Sequence, residues 1–180
     1  RVELQVPGEH NVMNALAASA AAFALDTSHQ SIVAGLSGFT GIKGRLQSKP
    51  GLHGSTFIDD TYNANPDSVK AALAVLARQP GKKVLVLGDM GELGPDASAL
   101  HSELGTAAKQ AGVDILLCHG DICRAAASEF GANAWFFERI EELLADLENL
   151  LAPDVTVLVK GSRFMQMERV VKSFEVKSEK

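Results

Sequence analysis

The first forty residues differ from the rest of the chain in the pattern of their hydrophobic positions. Residues 10–25 are rich in alanine and repeat their larger apolar side chains at helical spacing, which predicts an amphipathic helix. A second helix is predicted over 28–36, with Ser28 as its N-cap. Ahead of both, apolar and polar residues alternate over 2–6, and this alternation predicts a short strand.

A glycine-rich stretch follows the second predicted helix and indicates a boundary. Four glycines fall between positions 35 and 44, and so much backbone freedom disfavours a regular element. We therefore expect two parts, a small helical unit over residues 1–43 and a separate domain over residues 44–180.

The second part alternates strands with helices. The continuous apolar run at 84–87 is typical of a strand buried on both faces. A second buried strand is predicted over 113–118, another strand over 155–159, and shorter strands near 56–58 and 135–136. The predicted helices begin at Pro66, at Pro95 and near Asp121, and two more cover 140–147 and 164–174. This order predicts an α/β fold: a mostly parallel, Rossmann-like sheet with helices on both faces.

Charge and cysteine content narrow the function classes. The chain has 17 basic and 22 acidic side chains, a formal net charge of −5, which argues against nucleic-acid binding by bulk charge. No stretch reaches the roughly 20 apolar residues of a membrane helix, so we expect no membrane insertion. Cys118 and Cys123 match neither a disulfide framework nor a zinc pattern, which favours a reducing cytoplasm and no metal site.

Polar residues follow the predicted strands, where open α/β sheets bind their ligands. These turns cover 59–63, 88–92, 119–121 and 160–163. Asp59 and Asp60 are adjacent in a strand and point to opposite faces, so only one of them can face a ligand. The chain contains no P-loop sequence for binding phosphates.

Four separated motifs resemble those of Mur ligases, in the same order along the chain. They are PGEHNVMNALAA at 7–18, GR at 44–45 followed by IDDTYNANPDS at 58–68, LGDMGELG at 87–94, and KGSR at 160–163. The resemblance spans nearly the whole chain. It implies that residues 1–43 are the C-terminal end of the central ATP-binding domain and residues 44–180 the C-terminal Rossmann-like domain.

The wording of these motifs is most similar to that of family members that join D-alanyl-D-alanine to a UDP-N-acetylmuramoyl-tripeptide in peptidoglycan synthesis. The resemblance therefore implies an ATP-dependent cytoplasmic ligase that forms an acyl phosphate, acts as a monomer and uses Mg²⁺. In the family, the P-loop and the magnesium ligands lie upstream of the point where this sequence begins. We therefore expect no catalytic residue or metal ligand in these 180 residues, and no activity from them alone.

The resemblance also implies two sets of binding residues. Amides suit the adenine edge, an arginine fork suits phosphates, and a carboxylate can accept from ribose hydroxyls. The expected ATP-binding residues are His10, Asn11, Asn14, Arg45, Asp60, Tyr62 and Asn63. For the dipeptide, cations and a hydroxyl suit its carboxylate, and acids suit its ammonium. The expected acceptor-binding residues are Asp89, Glu92, Lys160, Ser162 and Arg163.

Two alternatives compete with this interpretation. A folate polyglutamate ligase catalyses related chemistry, but it typically has an Asp-x-Ala-His-Asn-Pro motif where this chain has Asp-Thr-Tyr-Asn-Ala-Asn-Pro. A non-catalytic receiver-like module would place acidic residues at strand ends, as at Asp59, Asp60 and Asp89. It would leave the asparagine-containing helix and Arg45 unexplained.

Overall fold

A computed structural model describes residues 2–176, apart from the side chain of His10. The chain forms two compact units, Arg1–Ile42 and Lys43–Lys180. Among the described residues, no helix combines the length and the apolarity needed to cross a bilayer.

The first unit contains the two predicted helices, α1 (Glu9–Ala24) and α2 (His29–Ser37). Ser28 caps α2 as predicted, because its hydroxyl accepts a hydrogen bond from the Ser31 amide at 3.2 Å. The strand predicted over 2–6 is wrong, since these residues form no strand in the structure. Alternation alone cannot make a strand, because a strand also needs a neighbour to bond its backbone groups.

The second unit is built on a six-stranded sheet with the order β1-β2-β6-β3-β4-β5. β1 runs antiparallel to β2, and all other neighbouring strands are parallel. This confirms the predicted, mostly parallel sheet. The strands are β1 (Gln47–Pro50), β2 (Thr56–Asp60), β3 (Lys82–Gly88), β4 (Ile115–His119), β5 (Ala134–Phe137) and β6 (Val155–Lys160).

β1 is the strand that the hydrophobic pattern does not predict. Its sequence, Gln-Ser-Lys-Pro, has no aliphatic or aromatic side chain apart from the proline ring, and its residues alternate between half-buried and exposed. As an edge strand it pairs only with β2, so it need not be apolar, and Pro50 is tolerated at its end.

Helices cover both faces of the sheet, as predicted. They are α3 (Pro66–Leu76), α4 (Ala97–Gln110), α5 (Arg124–Phe130), α6 (Ile140–Glu148) and α7 (Glu168–Phe174). Buried residues of α3, α4 and α5 form one core cluster, and those of α6 and α7 form the other. The apolar strands serve both clusters: in β3, Leu85 and Leu87 join the first, and Val84 and Val86 join the second.

The last helix begins later than the apolar pattern predicts. A short 3₁₀ turn occupies Arg163–Met165, and Gln166 then adopts a left-handed backbone conformation with φ of 50°. That conformation cannot continue a right-handed helix, so α7 starts at Glu168.

The topology determines where a ligand can bind. β6 lies between β2 and β3, but α7, which follows β6, packs on the opposite face from α3 and α4, which follow β2 and β3. In open α/β sheets, such a change of face between neighbouring strands marks the crevice at their carboxyl ends where ligands bind. The turns after β2, β3 and β6 border this crevice.

Gly105 provides a test of how closely α4 and α5 pack. A Cβ atom added at Gly105 would clash with the backbone carbonyl of Ala126 in α5. We expect Gly105→Ala to lower the free energy of unfolding by about 1–3 kcal/mol, because the helices would have to separate. Denaturant unfolding of the purified chain measures this change.

The matched control is Gly35→Ala in α2, where an added Cβ has no neighbour within 4 Å. Alanine favours a helix over glycine by roughly 0.5–1 kcal/mol, so this variant should not be destabilised. A Gly105→Ala variant as stable as the parent chain would contradict the close packing of α4 on α5.

Candidate functional site

Lys160, the last residue of β6, joins two loops at the carboxyl edge of the sheet. Its ammonium donates to Asp60 Oδ2 at 2.6 Å and to the Asn63 carbonyl at 2.9 Å. The register explains the first contact, because Asp60 and Lys160 are direct neighbours on parallel strands. Lys160 is only 2% exposed, so this ammonium serves the protein interior.

The Asp60 carboxylate also holds the segment before β1. Its Oδ1 accepts a hydrogen bond from the Leu46 amide at 3.2 Å. Asp60 is 8% exposed, and the opposite charge of Lys160 offsets the cost of burying it. The predicted ribose-binding acid is thus part of a buried ion pair beside the crevice.

Asp59 has a separate set of partners, in keeping with the alternation of side chains along β2. Its Oδ1 accepts from the Thr61 hydroxyl at 2.7 Å and from the Thr61 amide at 3.3 Å. Its Oδ2 lies 3.0 Å from the Lys49 ammonium, which also contacts Glu175 at 3.2 Å. Asp59 therefore shapes the turn after β2 and ties it to β1.

The environment of Lys49 favours its charged form. Burial alone would lower the pKa of Lys49, but hydrogen bonds and charge attraction from Asp59 and Glu175 outweigh burial and raise that pKa above its usual value. Lys49 therefore stays charged at neutral pH and keeps β1 attached to Asp59.

Arg45 and Tyr62 form an exposed pair at the same edge. The Arg45 guanidinium carbon lies 4.5 Å from the centre of the Tyr62 ring, a cation–π contact. The Tyr62 amide donates to the Gly44 carbonyl at 3.0 Å, which brings the two segments together. Tyr62 is 48% exposed, so its ring is available to a ligand.

Asn63 connects the β2–α3 loop to the turn after β6. Its side-chain oxygen accepts from the Arg163 amide at 3.3 Å, while its carbonyl accepts from Lys160. The loop then ends at Asn65, which forms the predicted N-cap of α3 together with a capping box to Ser68. Both ends of the loop are fixed.

Ser162 connects the turn after β6 to the loop after β3. Its hydroxyl accepts from the Gly91 amide at 2.9 Å and donates to the Ala64 carbonyl at 3.3 Å. Its amide donates to the Asp89 carbonyl at 3.0 Å. These hydrogen bonds link three chain segments, and Ser162 itself is buried.

The Asp89 carboxylate points into the protein. It accepts from the Cys123 amide at 2.7 Å and from the Ile122 amide at 3.3 Å, just before α5. Any Cβ at residue 120 would clash with this carboxylate, which explains the glycine found there. Glu92, by contrast, is exposed and has a left-handed backbone with φ of 61°.

His101 is a buried anchor that the sequence pattern does not reveal. Its Nε2 accepts from the Met90 amide at 3.1 Å, and its Nδ1 contacts the Ala97 carbonyl at 2.7 Å. A carbonyl can only accept, so Nδ1 carries the proton and the ring is neutral. His101 thereby holds the loop after β3, and only its position inside a helix is evident from the sequence.

Asp89, His101 and Cys123 bring their potential ligand atoms within 4.8 Å of one another. Each of these residues already has a protein partner. His101 and Asp89 accept from backbone amides as described above, and the Cys123 thiol donates to the Leu87 carbonyl at 3.5 Å. Burial raises the pKa of Cys123 well above its usual value, so the thiol stays protonated. The arrangement fits a structural anchor better than a metal site.

Arg163 is the exposed cation of the turn after β6. Its side chain is 64% exposed, and its Nη1 lies 3.2 Å from Glu168 Oε1. The guanidinium is therefore largely open to solvent, and its contact with Glu168 uses one of its five N–H donors.

In the first unit, the structure places two predicted adenine-binding residues together on α1. The side-chain Nδ2 of Asn14 donates to Asn11 Oδ1 at 3.4 Å, and the side-chain Nδ2 of Asn11 donates to the Pro7 carbonyl at 2.6 Å. The backbone of His10 belongs to α1, but its side chain lies outside the described residues.

The Lys160–Asp60 pair yields a stability prediction. We expect Lys160→Met to lower the free energy of unfolding by about 3–5 kcal/mol, because it leaves the Asp60 carboxylate buried without its cation. Thermal or urea unfolding of the purified variant measures the loss.

Lys70→Met is the control, because Lys70 forms an exposed ion pair with Glu103 at 3.9 Å. An exposed pair contributes about 0–1 kcal/mol. Similar losses of unfolding free energy in the two variants would show that the buried Lys160–Asp60 pair contributes no more to stability than an exposed pair.

Comparison with known proteins agrees with this geometry. The family model of the Mur ligase glutamate ligase domain matches residues 44–163. The chain is similar to the UDP-N-acetylmuramoyl-tripeptide–D-alanyl-D-alanine ligase of Escherichia coli K12, with 40% identity over 97% of this chain and 39% of that protein. It thus spans about two fifths of the length of the curated relatives that it matches.

Solved structures give the same result. A crystal structure of MurF from Acinetobacter baumannii matches with a TM-score of 0.87 and 41% identity, over 96% of this chain and 38% of that one. MurF ligase from Thermotoga maritima in complex with ADP matches with a TM-score of 0.82 and 25% identity, over 93% of this chain and 38% of that one. The motifs, the sheet and the family match agree: this chain belongs to the Mur ligase family.

Proposed function

We propose that the intact protein is an ATP-dependent ligase that joins D-alanyl-D-alanine to a UDP-N-acetylmuramoyl-tripeptide in the cytoplasm. The names of the relatives at 35–40% identity support this choice of substrates. The observation that carries the proposal is a set of linked segments at the carboxyl edge of the sheet. Arg45 and Tyr62 are exposed on two segments joined by a hydrogen bond, and Arg163 is exposed on the turn after β6. The reaction needs one group of contacts for the nucleotide and another for the acceptor dipeptide.

The Arg45–Tyr62 pair is the proposed nucleotide contact of the second unit. The exposed ring of Tyr62 offers a flat surface, and the guanidinium of Arg45 offers a fork of donors to phosphate oxygens. Asn63, in the same loop as Tyr62, is exposed and is proposed to contact the nucleotide. Asp60 is kept as a proposed ribose contact on its sequence motif alone; its carboxylate is buried and bonded to Lys160 and to the Leu46 amide. A relative solved with ADP supports a nucleotide role for the fold.

For the first unit, taken by itself, we propose adenine-binding residues on α1. Residues 1–43 would then be the end of the central ATP-binding domain, and residues 44–180 the C-terminal domain. Asn11 and Asn14 present neighbouring amides, which can both donate and accept at a purine edge. His10 remains part of this proposal on its sequence motif alone.

Exposed charges suit the acceptor dipeptide, which is a zwitterion. The Arg163 guanidinium can bind its carboxylate, and the Glu92 carboxylate can bind its ammonium. Lys160, Ser162 and Asp89 are all buried and bonded within the protein. We therefore assign these three residues the task of holding the acceptor loops, in place of the direct contacts expected from the motif.

Magnesium and the transfer of the phosphoryl group are proposed to depend on residues outside this chain. Asp59 and Asp60 are paired with Lys49 and Lys160, so they fit an ion-pair network better than a magnesium site. The described residues therefore supply binding and orientation. We propose a monomer, as the resemblance to the family implies.

Family membership and the sequences of the motifs distinguish this proposal from its alternatives. A receiver-like module is set aside, because the chain belongs to the Mur ligase family. A folate polyglutamate ligase remains a sibling of similar fold. The Tyr-Asn-Ala-Asn-Pro wording and the names of the relatives favour the D-alanyl-D-alanine ligase.

The two proposed contact groups should each affect the KM of a different substrate of the intact enzyme. Tyr62→Ala and Arg45→Ala should raise the KM for ATP about tenfold, because each loses contacts to a charged ligand. Arg163→Ala should raise the KM for D-alanyl-D-alanine by a similar factor and leave the KM for ATP nearly unchanged. Steady-state kinetics with each substrate varied in turn measures this.

Trp135→Ala serves as the control, because Trp135 is an exposed aromatic residue on the far edge strand β5. It should change neither KM. Equal effects of Arg163→Ala on both substrates would contradict its assignment to the acceptor.

The 180-residue chain by itself is expected to release no phosphate from ATP. The sequence contains no P-loop, so the γ-phosphoryl group would lack the cradle that stabilises its charge. A phosphate-release assay on the purified chain tests this, with boiled protein as background. Release above that background, proportional to protein concentration, would refute the expectation.

A further inference from the structure

Glu168, the first residue of α7, is the acidic partner of Arg163. Its Oε1 lies 3.2 Å from Arg163 Nη1, and its side chain is 20% exposed against 64% for the arginine. Its Oε2 is buried and has no hydrogen-bond partner among residues 2–176. The carboxylate is thus set into the protein surface, and the guanidinium extends over it toward solvent.

This burial distinguishes the pair from the other arginine–glutamate pairs of the described chain. In the Arg124–Glu138 pair the acid is 77% exposed, and in the Arg139–Glu141 pair it is 67% exposed. Exposed pairs of this kind fix little, because both side chains remain mobile and solvated. A carboxylate with one buried oxygen has few positions open to it, so it directs the guanidinium that it binds.

The backbone of Arg163 is fixed as well. Its amide donates to Asn63 Oδ1 at 3.3 Å, and the preceding Ser162 hydroxyl accepts from the Gly91 amide at 2.9 Å. The arginine is therefore anchored at its main chain by the loops of the crevice and at its guanidinium by Glu168.

We propose that Glu168 is a positioning residue for the acceptor: it holds the Arg163 guanidinium in the orientation that receives the dipeptide carboxylate. This inference rests on the proposed function, in which Arg163 contacts that carboxylate. A guanidinium has five N–H donors, and the contact with Glu168 uses one of them, so an edge remains for a second carboxylate. A side chain held in advance loses less conformational entropy when the ligand binds.

A double-mutant cycle in the intact enzyme tests this coupling. We expect Glu168→Ala to raise the KM for D-alanyl-D-alanine about fivefold, with little change in the KM for ATP or in kcat. In an Arg163→Ala background the same substitution should cause no further rise, because no guanidinium remains to be positioned. Glu168→Gln keeps an oxygen acceptor for Nη1 and should restore most of the affinity.

Two further variants guard the interpretation. Glu138→Ala removes an acid from an exposed pair of the same type and should leave both KM values unchanged. Arg163→Met keeps a long unbranched side chain but has no guanidinium, so it serves in the cycle if Arg163→Ala does not fold. Thermal melts establish that each variant is folded at the assay temperature.

The outcomes are distinct. Equal rises in both KM values, or a Glu168→Ala effect that persists without Arg163, would show a structural role and overturn the inference. A parent enzyme that does not ligate D-alanyl-D-alanine would overturn the proposed function. A parent enzyme that does, with an unchanged dipeptide KM in Glu168→Ala, would overturn the positioning role alone.

Discussion

The buried ion pair between Lys160 and Asp60 is the interaction on which the arrangement of the crevice depends. Two charges that are 2% and 8% exposed are tolerable only because they neutralise each other and because backbone groups complete their hydrogen bonds. Since the pair spans β2 and β6, it ties the two parallel strands together where they end. The loops that leave these strands start from fixed positions.

The polar residues of the site fall into two groups, which differ in burial and in role. One group is buried, forms its hydrogen bonds within the protein and thereby holds the loops; it comprises Lys160, Ser162, Asp89 and His101. Arg45, Tyr62, Glu92 and Arg163 are exposed on those loops and keep capacity for ligands. Exposed side chains held on rigid support lose less conformational entropy when they bind a ligand.

Sequence patterns predict the framework of this structure better than its site. Buried strands such as 84–87 and the N-cap at Asn65 follow from local apolar runs and cap chemistry. The polar edge strand β1 is missed because only its pairing with β2 makes it a strand. The late start of α7 depends on one left-handed residue, Gln166. The roles of His101 and Glu168 depend on the burial of their side chains and on the groups that they contact, which the hydrophobic pattern does not show. The motif resemblance predicts that Lys160 and Ser162 bind the acceptor, but it does not reveal that both side chains are buried and bonded within the protein.

Under the proposed function, the most direct test of this account is the pattern of KM values in a Lys160→Gln variant of the intact protein, assayed at a temperature where thermal melts show that it is folded. If Lys160 holds the loops, both the KM for ATP and the KM for D-alanyl-D-alanine should rise, because the ammonium anchors Asp60 and Asn63 and through Asn63 the turn that carries Arg163. A rise confined to the dipeptide would contradict the account, since it would place the Lys160 ammonium in direct contact with the acceptor.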